Sequence, residues 1–126
     1  MKIFVCALIL FAVATAGSFA GSITVMRVTD RIAKQIQALP QAKEGTELDK
    51  HEKILTDVFE QWEDKHFLIE ILVNHPIKST IDEQFRVAIG YCSVNDTKEY
   101  TAAIAALENS LHLLREVSEI SLSNVL

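Results

Sequence analysis

Apolar residues recur at spacings of three and four along most of this chain, which is the period of a helix with one buried face. The exception is the start. Residues 3–26, "IFVCALILFAVATAGSFAGSITVM", carry no charge and show no polar face. Past them Val25, Val28, Ile32, Ile36 and Leu39 keep the helical step, so the apolar segment is expected to continue as a helical stem. Pro40 ends the stem, because the residue before a proline avoids helical angles. "QAKEGTELDK" reads as a polar connector in which Thr46 and Asp49 resemble a capping box.

A second helix is predicted over about Glu47–Asn74, with a seam of Leu55, Val58, Trp62, His66, Ile69 and Leu72. Phe59, Phe67 and Ile71 widen its apolar face. A third helix follows His75-Pro76, with Pro76 in a first-turn position where its missing N–H costs nothing. Thr80 and Glu83 offer a later start. Its face is Ile77, Ile81, Phe85, Ala88 and Cys92. Asn95 or Asp96 is expected to cap a fourth helix, with Glu99 three residues after Asp96. That helix has the cleanest seam: Tyr100, Ile104, Leu107, Leu111 and Leu114. The alternating tail "SEISLSNVL" is expected to lie extended over the bundle. The pattern as a whole predicts an all-α protein. Residues 1–26 form a transmembrane or signal helix, 27–40 a stem, and 41–126 a small antiparallel bundle of three helices.

Charge narrows the partners. Lys2 is the only one of 12 basic residues before the apolar segment, and all 17 acidic residues follow it, leaving a net charge of −6 from Arg27 onward. A nucleic-acid surface needs a concentrated basic patch, so none is expected. Anionic lipid is not expected as the main partner either.

The apolar segment fits a cleaved signal, with Ala14-Thr15-Ala16 or Ser18-Phe19-Ala20 as the small-residue site. It also fits an uncleaved anchor, since its 24 residues reach about 36 Å as a helix, against a hydrocarbon core of about 30 Å. Ile23, Val25 and Met26 extend the apolar run beyond what a signal requires. Cleavage after Ala16 or Ala20 would also leave a largely apolar terminus with no evident packing role. Retention, N-terminus inside and acidic bundle outside, is therefore the expectation, with the stem standing the bundle off the membrane. Secretion after cleavage is the alternative.

Chemistry-bearing motifs are sparse. Cys6 and Cys92 lie too far apart in character and position to suggest a disulfide framework, and Cys92 reads as a buried apolar residue. Glu63-Asp64-Lys65-His66 is a Glu-x-x-His, which in carboxylate-bridged metal bundles needs a second copy that this chain lacks. His66 therefore reads as a seam histidine. His75 reads as a residue interacting with the carbonyls that end the second helix. His51-Glu52 lacks the second histidine of a zinc-protease motif, and no serine sits in a nucleophile elbow. Asn95-Asp96-Thr97 is formally a glycosylation acceptor that doubles as a helix cap.

The apolar start, Trp62, and the run "LVNHPIKSTIDEQFRVAIGYCSVNDTKEYTAAIAALENSLHLLREVSEISLSNVL" together resemble a bacterial family, mainly from Firmicutes. Its members are short, membrane-anchored, all-helical proteins of unknown function. The features that carry the resemblance are Trp62, Asn74-His75, Ile77 and Ile81, Asp96, and Asn124-Val125-Leu126. Pro76 departs from it, standing where the family usually has an acidic or polar residue. The resemblance implies topology and location but no reaction.

The leading expectation is a membrane-anchored extracytoplasmic bundle that binds or supports an envelope or membrane protein, with no cofactor and no catalytic constellation. Trp62, His66, His75, Phe85 and Asp96 are its candidate structural or partner-binding residues. The alternatives are a secreted carrier of a small apolar ligand, or a metal-binding protein using Glu63, His66 and His75.

Overall fold

A computed structural model describes residues 2–43, 45–65, 69 and 75–125, excepting the side chains at 18, 19, 22 and 121–125. Among the described residues all regular structure is helical: α1 (Lys2–Gln37), α2 (Asp49–Asp64), α3 (His75–Ser93) and α4 (Thr97–Val125). Each helix packs on its neighbour in sequence, and α1 closes the ring against α4. These four described helices form an up-down-up-down bundle.

The sequence pattern predicts three helices in the bundle and a free stem. The stem is instead the fourth helix. Val25, Val28, Thr29, Ile32 and Ile36 are buried in the common core. The physical reason is the seam itself, since a stem standing alone would leave those side chains in water, at roughly 1.5–3 kcal/mol for each large one. The Thr29 hydroxyl is kept satisfied by donating to the Val25 carbonyl at 2.7 Å.

The core is a single cluster. Leu48, Leu55, Val58 and Trp62 enter from α2 and the residue before it, Ile81, Phe85, Ala88 and Cys92 from α3, and Tyr100, Leu107, Leu111 and Leu114 from α4. These are largely the seams read from the sequence.

Element ends differ more. α2 stops at Asp64, where the Lys65 N–H turns back to the Trp62 carbonyl at 3.2 Å. Of the stretch expected to extend it, only Ile69 is described; it is buried, and its N–H donates to the Lys65 carbonyl at 2.9 Å. Thr46 does not cap α2. Its hydroxyl accepts the Lys43 N–H at 3.1 Å, closing a turn in the connector, and Leu48 occupies the N-cap position without a side-chain cap. Thr80 is likewise interior to α3, donating to the Pro76 carbonyl at 2.8 Å.

The tail is helical rather than extended. No glycine or proline interrupts it, and Leu111, Leu114 and the buried Ser118 keep the seam in phase.

Beyond the bundle α1 projects. Its first turns expose Ile3 (87 %), Leu10 (70 %) and Phe11 (74 %), with Phe4, Val5, Leu8, Ile9 and Val13 also exposed. Burial starts at Gly21. Among the described residues no helix is long and apolar enough to cross a membrane. The unbroken run of described apolar side chains, residues 3–17, rises about 22 Å.

Candidate functional site

Two polar clusters are built into the core. The first lies toward the end from which α1 projects. The seam of α3 runs Lys78, Ile81, Phe85, Ala88, Cys92, so a lysine occupies a core slot and is only 4 % exposed. One turn on, Asp82 takes the Lys78 ammonium at 2.7 Å through Oδ2 and the Trp62 indole N–H at 2.6 Å through Oδ1. Both carboxylate oxygens are thereby used, and the indole can be fully buried because its one donor is matched. Phe85 lies against the same indole, ring centroids 6.5 Å apart, and stacks on Phe59 at 5.1 Å with Arg86 over the Phe59 face.

The second cluster closes the opposite end, where α1 stops, α2 starts, α3 stops and α4 starts. His51 is buried, and its Nε2–H donates to the Pro40 carbonyl at 3.0 Å. Its ring meets Tyr100 edge-on at 5.5 Å. Nδ1 and the Tyr100 hydroxyl are buried without a hydrogen-bond partner among the described residues.

Burial, then the nearby Glu52 carboxylate, pushes the Cys92 thiol up to about 11. Burial, then Cys92, pushes the Tyr100 phenol up to about 12. Neither group ionises near neutral pH, so this cluster supplies no thiolate or phenolate nucleophile.

Asn95 locks the same end. It takes a left-handed backbone angle (φ 54°) and closes α3 as a Schellman turn, with the Asp96 N–H on the Tyr91 carbonyl and the Asn95 N–H on the Cys92 carbonyl, both at 3.1 Å. Its side-chain oxygen then accepts the Leu48 N–H at 3.0 Å, across to the start of α2. Asp96 caps α4, accepting the Glu99 N–H at 3.2 Å.

The candidates from the sequence do not form one site. Trp62 and Phe85 are core neighbours, while Asp96 is a helix cap at the far end. His75 does not finish α2; it opens α3 and is exposed. His66 lies outside the described residues, so the Glu63–His66–His75 grouping is not described. Among the described residues no three His, Cys, Asp or Glu side chains gather as a metal site.

Lys78, Asp82 and His51 were not singled out by sequence reasoning. The signal was there for two of them: Lys78 lies one helical step before Ile81, and His51 lies on the seam Leu48, His51, Leu55, Val58, Trp62.

On the outside, a shallow groove between α3 and α4 is lined by Thr80, Gln84, Val87, Ala103 and Ala106. It continues toward Ile77 and Leu113. No protein-family model, no curated protein and no solved structure matches the chain.

Proposed function

We propose that this protein is a membrane-anchored helical bundle, held outside the cytoplasm, that binds or supports another membrane or envelope protein. The observation that carries the reading is the exposed half of α1. Large apolar side chains from Ile3 to Val13 surround turns of α1 that have no neighbour among the described residues, yet are continuous with the part of α1 that packs in the core. Exposing so many large apolar groups to water is costly, and a bilayer removes that cost. Residues 3–20 carry no charge and rise about 27 Å, a little short of a hydrocarbon core of about 30 Å.

A protein-binding role for the bundle is supported by the α3–α4 groove, where Ala103 and Ala106 leave room for a close neighbour. The Lys78–Asp82–Trp62 cluster is spent on holding helices together, which favours a scaffold over an enzyme. The test is co-purification from detergent-solubilised, carbonate-washed membranes. The protein should remain in the washed membranes and return a reproducible partner; release by the wash, or repeated recovery alone, would refute the respective half of the reading.

One observation favours secretion after cleavage as a second reading. Burial along α1 begins at Gly21, directly after Ser18-Phe19-Ala20. A chain cut there would start inside the packed bundle, so the apolar terminus left by cleavage after Ala20 has a packing role after all.

A further inference from the structure

The anchor reading places one end of the bundle at the bilayer, and the last turns of α4 lie at that same end of the bundle. The two helices are antiparallel. Tyr100, in the first turn of α4, touches His51, which bonds the Pro40 carbonyl just past the end of α1. Toward the other end of α4, Arg115 pairs with Asp30 at 3.1 Å. From that ion pair, Met26 and Glu119 each lie four residues further toward the projecting end, about 6 Å away. This is the level at which both helices lose their charge. Residues 3–26 carry no charged side chain, and Glu119 is the last one in α4 before "ISLSNV". At this level Ile120 is 60 % exposed, and Val117, one turn farther from the projecting end, is exposed too.

We propose that α4 at Ile120 is a second membrane contact, lying in the interfacial layer beside the point where α1 enters the bilayer. The inference rests on the anchor reading. If the lipid-exposed part of α1 ends at Ala20, Ile120 stands about five residues, or roughly 7 Å, above the hydrocarbon boundary. The interfacial layer on each side is about 5–8 Å thick, so the last turns of α4 fall within it. A lipid surface explains why charge stops at one height on two separate helices; a protein partner imposes no such plane. The bundle then rests directly on the bilayer by its Trp62 end instead of standing on a stalk.

The test uses the full chain carrying Cys6→Ser, in which Cys92 is buried and unreactive, reconstituted in phosphatidylcholine–phosphatidylglycerol vesicles. A bimane fluorophore is attached at L10C, I120C or V94C, the last being exposed at the opposite end of the bundle. Lipid nitroxides near the headgroup should quench position 120 several-fold more than position 94, and lipid nitroxides carried deep on the acyl chain should quench position 10. Quenching of position 120 by aqueous iodide alone, with position 10 still reached by lipid nitroxide, overturns this inference and leaves the anchor standing. Protection of position 120 from both quenchers means that protein covers it, which also overturns the inference. If lipid nitroxide does not reach position 10, the anchor reading fails and this inference fails with it.

Discussion

Replacing Asp82 with alanine should be among the most damaging single changes outside the apolar core. Among the described residues Asp82 is the one partner of two buried donors, the Lys78 ammonium at 2.7 Å and the Trp62 indole N–H at 2.6 Å, and the ion pair's side chains are only 5 % and 13 % exposed. Removing one member of a buried pair costs about 3–5 kcal/mol, because the surviving charge is left without compensation. An orphaned indole N–H adds about 1–3 kcal/mol. The two are not additive, and the lysine stem gives its ammonium some reach toward water. A loss near 4 kcal/mol is the working figure, against roughly 5–15 kcal/mol for a whole domain of this size. Asp82→Asn keeps an acceptor for Trp62 and removes only the charge, so it should cost less. Lys78→Met combined with Asp82→Leu removes both charges and should recover much of the loss. Urea unfolding of the full chain in mild detergent, followed by far-UV circular dichroism and Trp62 fluorescence, reads all three. If Asp82→Ala unfolds within about 0.5 kcal/mol of the parent, the trio is solvated in practice and the reasoning fails.

Trp62→Ala should cost about 3–5 kcal/mol in the same assay, since it empties a core site and also orphans an Asp82 oxygen. Asn95→Gly should lose only the clip to Leu48, about 1 kcal/mol, while Asn95→Ala adds the strain of a left-handed angle; equal losses would contradict the double role of Asn95. Stability should fall as pH rises from about 9 through about 12. The unfolded chain releases the Cys92 and Tyr100 protons near 9.0 and 10.0, while the folded chain holds them to about 11 and about 12. Cys92→Ala should remove the lower part of that fall, and an unchanged alkaline profile in this variant would count against the burial of the thiol.

The core was legible because burial leaves a period. Leu107, Leu111 and Leu114, or Leu55, Val58 and Trp62, could be read as seams without knowing what they face. The stem misled because a seam shows that a face is covered but not by what, and only the assembled bundle shows α1 lying against α4. Caps were less legible. Thr46 and Asn95 both match local capping patterns, yet one closes a connector turn and the other bonds a residue 47 positions away, a choice made by tertiary packing. The tail misled through its alternation, which helical continuity from Leu114 overrode. Lys78 and Asp82 were hidden for a different reason. A charged residue in a seam slot reads as an exception until its partner and the indole it serves are seen together.

The proposed function requires that the apolar half of α1 stays on the protein and lies in the bilayer. Intact-mass measurement of native protein from carbonate-washed membranes tests it most directly. The account predicts a membrane-bound species that retains the whole apolar segment; a soluble species beginning at Gly17 or Gly21 would contradict it.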